Sequence, residues 1–190
     1  MRIGIILGST RDGRVGESVA HWINGLAQAR DSEAVYELVD LKDYDLPFFT
    51  GAVPPKGLDM KYTDPKVTAW SDKINSFSGY LFVTAEYNRS APAPFKNAFD
   101  TLADEWQGKA LAFAGYGYVG GVNSVKTWRQ IVGAFRMQVV EQALSFNLRH
   151  ELPGGVFTPA EGQEEAVSEV LSALESTTAE VIAHRSAADA

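Results

Sequence analysis

Three nearly unbroken apolar stretches, Ile3 to Leu7, Tyr80 to Ala85 and Ala110 to Ala114, each run directly into a glycine-rich or polar segment. An exposed strand alternates apolar with polar residues. A run that is apolar at successive positions is one covered on both faces, as in a parallel sheet sandwiched between helices. The segments between these runs have a different period. Val15, Val19, Trp22, Ile23, Leu26 and Ala27 recur at helical spacing, with Glu17, His21, Asn24 and Gln28 between them. Residues 34–40 alternate and end in Asp40, and so read as a second strand. Asp64-Pro65 has the form of an N-cap followed by proline at the first helical position, and Val67, Trp70, Ile74 and Phe77 continue that helix.

Further helices are expected over 92–102, 124–135 and 164–184, with a short fifth strand at 137–140. Residues 46–57 read as a long Pro- and Gly-rich loop, and 141–162 as less regular. Strand and helix thus alternate five times in what reads as one domain over 1–190. Right-handed crossovers then require a parallel sheet with helices on both faces. Ligands of such sheets lie beyond the carboxyl ends of the strands, at a switch in strand order.

Composition narrows the chemistry. The chain has no cysteine, which removes disulfides, thiolate nucleophiles, iron–sulfur clusters and Cys-based zinc sites. Its formal charge of −7 is spread along the sequence without a basic run, so a nucleic-acid partner is not expected. No apolar run approaches the ~20 residues of a membrane span, and the start lacks the form of a signal peptide, so a cytoplasmic protein is expected. His21, His150 and His184 lie far apart without metal-ligand spacing and are assigned no role.

The segment after the first strand, Gly8-Ser9-Thr10-Arg11-Asp12-Gly13-Arg14-Val15-Gly16, combines glycines, hydroxyls and two arginines ahead of a helix. Glycines let backbone N–H groups turn toward an anion, and the helix start adds positive potential. A phosphate cradle is the expectation. The spacing is neither Gly-x-Gly-x-x-Gly nor that of a P-loop, so Rossmann dinucleotide binding and nucleotide hydrolysis are not supported.

After the third strand comes Ala85-Glu86-Tyr87-Asn88-Arg89-Ser90-Ala91-Pro92-Ala93-Pro94-Phe95-Lys96-Asn97-Ala98-Phe99-Asp100. This resembles the Pro-Glu-Tyr-Asn-x-Ser-x-Pro-x-x-Leu-Lys-Asn-x-x-Asp motif of the NADPH-dependent FMN reductase family. The first loop is similar to that family's phosphate loop. Glu105-Trp106-x-Gly108-Lys109 and the segment Gly115 to Gly121 also look like family elements, so the resemblance covers roughly residues 1 to 140. Ala85 departs from the family's proline, Arg89 stands where glycine is frequent, Gly115 where serine is common, and Phe95 replaces leucine.

The resemblance implies a flavodoxin-like α/β three-layer sandwich with a five-stranded parallel sheet in the order 2-1-3-4-5. It implies bound FMN, NAD(P)H as co-substrate, and a homodimer or homotetramer with flavin sites at subunit contacts. Carried over by position, Ser9, Arg11, Arg14, Val15 and Gly16 would hold the phosphate. Glu86, Tyr87 and Asn88 would pass along the ring and ribityl chain. Gly115, Tyr116, Gly117, Gly120 and Gly121 would border the pyrimidine end.

No catalytic side chain is expected, because a flavin carries the hydride and the protein binds, orients and tunes it. Backbone N–H groups near Gly117 to Gly121 would stabilise charge on the reduced ring, by analogy with oxyanion sites. The implied reaction is ping-pong, with nicotinamide and then a flavin, quinone or similar small-molecule acceptor using the same space. The alternative is a flavodoxin-like electron carrier that NAD(P)H does not reduce directly. Glu86 reads as a positioning group, and Asn97 and Asp100 as anchors of their helix. Arg89 is either a solvated arginine or a contact for the NADPH adenosine phosphate. Trp106, Tyr116, Tyr118 and Trp128 line an acceptor pocket or a dimer interface, with the core as the alternative for Trp106 and Trp128; Phe48 and Phe49 form a lid, a subunit contact or simple packing.

Overall fold

The computed structural model describes residues 1–188. Strand β1 (Arg2–Leu7) leads through the first loop to helix α1 (Gly16–Gln28), then β2 (Val35–Asp40). A long connection precedes α2 (Pro65–Asn75) and β3 (Gly79–Ala85), followed by α3 (Ala93–Asp100), β4 (Ala110–Gly117) and α4 (Val122–Gly133). Two short strands, β5 (Gln138–Val139) and β6 (Leu144–Asn147), and the long α5 (Gln163–Ala188) complete the order.

The sheet runs β2-β1-β3-β4-β5, all parallel, as the resemblance implies. It holds six strands where five are expected. β5 pairs with the start of β4 at Ala110 and Leu111, and β6 pairs with the end of β4 from Ala114 to Gly117. The fifth lane is therefore split in two. Arg129 of α4 donates to the Val140 and Glu141 carbonyls at the break, the Glu141 bond being 2.6 Å. Four residues of period two inside an irregular stretch are too few to announce a strand, which is why 141–162 read only as less regular.

Because side chains alternate across a strand, neighbouring residues serve different cores. Ile5, Leu81, Val83, Ala112 and Ala114 face Val19 and Ile23 of α1 and Leu171 and Leu174 of α5. Ile6, Phe82 and Phe113 face Trp70 of α2, Phe95 and Phe99 of α3 and Trp128 of α4. The small residues of β4 admit α5 closely, while the opposite face is filled with rings. Trp106 stacks on Phe99 with centroids 4.8 Å apart, and Trp128 donates to the Thr84 hydroxyl at 3.1 Å. Both tryptophans are fully buried, which resolves them as core residues.

The Asp64-Pro65 start is realised, with the Asp64 carboxylate accepting from the Lys66 N–H at 2.8 Å. The other sequence boundaries differ by a few residues at most. The one with consequence is β4, which continues to Gly117, so Gly115, Tyr116 and Gly117 belong to the strand end and not to a loop.

Candidate functional site

The loops after β1, β3 and β4 meet at the carboxyl edge of the sheet. Gly8 N–H donates to the Val83 carbonyl, which ties the first loop to β3. The Ser9 hydroxyl lies 2.8 Å from the Tyr87 hydroxyl, joining the first loop to the second. Glu86 N–H donates to the Tyr116 carbonyl at 3.1 Å and joins the second to the third.

The first loop ends at Val15, which gives α1 no side-chain cap. The N–H groups of the first turn therefore keep their capacity for an external acceptor. Arg11 is exposed. Arg14 is buried, and its guanidinium grips both oxygens of Asp40 at the end of β2 as well as the Ser9 carbonyl, at 2.6 Å. Its charge is thus balanced within the fold, and Arg14 shapes the loop through Ser9. Asp40 is the partner that sequence reasoning missed. An acid that ends a strand carries no sign of its partner, and the pairing crosses 26 residues.

The second loop is a two-residue turn. Tyr87 and Ser90 exchange both backbone bonds, at 2.9 and 3.0 Å, and the residues between them, Asn88 and Arg89, have φ of 49° and 62°. That pattern is a type I′ hairpin turn, for which Asn-Gly is a favoured pair. Arg89 is exposed on it. Glu86 accepts from both the backbone and the side-chain nitrogens of Asn123 at 2.9 Å, and so caps α4. The carboxylate is held by a residue the sequence reading did not single out.

The third loop folds back on β4. Gly120 N–H donates to the Gly117 carbonyl, so that donor is spent within the turn. Gly121 has φ of 72°, and a Cβ there would collide with the Tyr116 backbone. Strand β6 supports the turn from the side, since Ser145 Oγ donates to the Gly120 carbonyl and Leu148 N–H to that of Gly117, both at 3.0 Å.

Tyr116 lies on the same side of β4 as Ala112 and Ala114, toward α1. Its ring is buried and its hydroxyl abuts Gly16, the first residue of α1, where a Cβ would overlap it. That hydroxyl makes no well-formed hydrogen bond among the described residues, although the Ser9 hydroxyl, bonded to Tyr87, lies close enough to favour its charged form. Burial pushes its pKa up, so the phenol stays protonated.

Beside the first loop, a hollow of about 320 Å³ is lined by Thr10, Tyr44, Phe48, Pro94 and Asn97. A neighbouring one of about 430 Å³ lies under the long loop after β2, among Phe49, Leu58, Tyr62 and Val67. Asn97 anchors this loop, accepting from Phe49 N–H at 3.1 Å and donating to the Pro47 carbonyl at 2.9 Å. Asp100 pairs with Lys96. Phe48, Tyr118, Val119 and Val122 are exposed. His21, His150 and His184 are exposed too, and no group of three or more potential metal ligands occurs among the described residues. No helix among these residues is long and apolar enough to cross a membrane.

A doubly wound sheet with an uncapped helix start between three converging loops defines the flavodoxin-like class of flavin proteins. The description NADPH-dependent FMN reductase matches residues 1–151. The chain belongs to this family, and is thereby an oxidoreductase served by FMN and NAD(P)H. It is 35% identical over 161 residues to an NAD(P)H-dependent FMN reductase of Schizosaccharomyces pombe, covering 84% of this chain and 80% of that one. A 2-hydroxy-1,4-benzoquinone reductase of a Burkholderia species is 31% identical over 107 residues, which is 56% of this chain and 52% of that enzyme. Among solved structures, the flavoenzyme NAD(P)H:(acceptor) oxidoreductase FerB of Paracoccus denitrificans superposes with a TM-score of 0.68 at 21% identity, over 92% of this chain and 95% of the other.

Proposed function

We propose that this chain is a single-domain cytoplasmic reductase. It takes hydride from NAD(P)H through FMN and delivers it to a second flavin, a quinone or a similar small acceptor by a ping-pong sequence. The observation that carries this reading is the convergence of the three loops, with Ser9 on Tyr87 and Glu86 on both Tyr116 and the start of α4. These bonds fix a cradle before any ligand arrives, which lowers the ordering cost of binding.

When bound, FMN supplies the hydride chemistry, accepting a pair of electrons from nicotinamide and releasing it to the acceptor. The residues do the rest. Ser9, Arg11, Val15 and Gly16 would hold the phosphate with hydroxyl, guanidinium and backbone N–H donors, and Arg14 would keep the loop in shape through Asp40. Glu86, Tyr87 and Asn88 would flank the ring and ribityl chain. Gly115, Gly117, Gly120 and Gly121 would let the backbone approach the pyrimidine end. The exposed Phe48, Tyr118 and Val119 supply apolar surface for an aromatic acceptor or a second subunit in a homodimer or homotetramer.

Anaerobic mixing of the FMN-loaded protein with NADH or NADPH tests the reading: prompt bleaching of the yellow colour is expected. Persistent yellow would mark an electron carrier instead. Parallel initial-rate lines with a quinone acceptor are expected for the ping-pong order, and intersecting lines would refute it.

A further inference from the structure

The geometry points to the Tyr116 hydroxyl as a ligand of the flavin's phosphate, contributed by the end of β4 to the seat at the start of α1, and not as a neighbour of the ring. This rests on the proposed FMN site and deepens it.

The argument begins with strand register. Because β4 continues to Gly117, Tyr116 takes the same side as Ala112 and Ala114 and reaches across the sheet edge to α1. The phenol ends against Gly16, whose lack of a side chain admits it. A buried hydroxyl without a partner costs free energy, and native structures rarely keep one without a use. Tyr116 has no well-formed bond of its own: the Ser9 hydroxyl beside it is engaged by Tyr87, and Arg14 is engaged by Asp40.

The helix beneath is uncapped by any side chain, so orphan backbone donors and an orphan hydroxyl converge on one place. An acceptor-rich anion is the group that satisfies both. Since Asp40 balances Arg14, the seat relies on neutral donors with Arg11 as its exposed cation, and one hydroxyl then carries a large share of the recognition.

The test is Tyr116→Phe, which keeps the ring and removes the oxygen. Fluorescence titration of the apo proteins with FMN and with riboflavin separates the phosphate end from the ring end. FMN affinity is expected to fall about tenfold or more, as for loss of a hydrogen bond to a charged group, with riboflavin affinity unchanged. Equal losses for both flavins would place Tyr116 at the ring and overturn the inference, as would no loss for either.

Thermal unfolding gives an independent reading. The apo Tyr116→Phe protein should melt no lower than wild type, because an unpaired polar atom has been removed. Inorganic phosphate should raise the melting temperature of wild type more than that of the variant. A lower melting temperature of the apo variant would mean that the hydroxyl has a structural partner, which also overturns the inference. Wild type that binds FMN no tighter than riboflavin has no phosphate seat, and the inference falls with the first-loop assignment. Failure of wild type to bind either flavin would bring down the functional reading itself.

Discussion

Arg89 occupies the left-handed region at φ 62°, immediately after Asn88 at 49°. For a residue with a Cβ that conformation costs about 1–2 kcal/mol. Arg89→Gly therefore relieves strain in a turn whose geometry favours Asn-Gly, and should stabilise the protein by about 1 kcal/mol in denaturant unfolding. If the arginine also meets NADPH, the same variant will raise KM for NADPH while leaving that for NADH unchanged. Gly121 is the opposite case, since it has φ 72° and no room for a Cβ beside the Tyr116 backbone. Strain and overpacking together set the expected cost of Gly121→Ala at about 2–5 kcal/mol, measurable as a lower urea midpoint. The departures from the family's pattern were visible in the sequence at Arg89 and Gly115. What each residue does there was not, because φ and clearance are set by the partner strand and the returning turn.

Among the elements, the long loop after β2 illustrates both what sequence reveals and what it conceals. Its Pro- and Gly-rich composition marked it as a loop, and short 3₁₀ turns at Leu41–Asp43 and Pro55–Gly57 are its regular structure. Its attachments were hidden. Asn97 of α3 holds Phe49 and Pro47, about 50 residues back in the chain, and the Tyr62 hydroxyl donates to the buried carboxylate of Glu105 at 2.8 Å. A residue read as a local helix anchor is thus a long-range tether. Asn97→Ala removes two hydrogen bonds at about 1 kcal/mol each, and hydrogen exchange should show faster amide exchange over residues 47–53 with the sheet amides unchanged. Likewise, periodicity located α1 to α5 and strands β1 to β4, since each buries a full face. It could not locate β6, whose four residues are defined by their partner, nor extend β4 through residues whose glycines resemble a turn.

Across the whole molecule, stability should depend on pH through a site far from the three loops. Lys109 is buried at the start of β4, with its ammonium donating to the Ile74 and Asn75 carbonyls at the end of α2 and to the Tyr80 hydroxyl. Burial, reinforced by Arg185 and opposed by Glu105, lowers its pKa to about 8. Between about pH 8 and the unfolded value near 10.5 the unfolded chain binds more protons at this group, so its contribution to stability rises with pH. Tyr36, Tyr62, Tyr80 and Tyr116 act in the other direction above about pH 10, because burial raises each of them and the unfolded chain sheds their protons first. Urea midpoints should therefore climb from pH 8 toward 10 and then drop. Lys109→Met should flatten the climb and leave the drop.

The broken fifth lane has a further consequence, for behaviour in a crowded solution. A sheet margin normally offers a ladder of unpaired amides on which a stray strand can dock and seed fibres. Here that margin is two short rungs separated by a break, and the Arg129 guanidinium plugs the gap between them. No visiting strand can zip along its full length, so this margin should not seed cross-β growth as long as it remains folded.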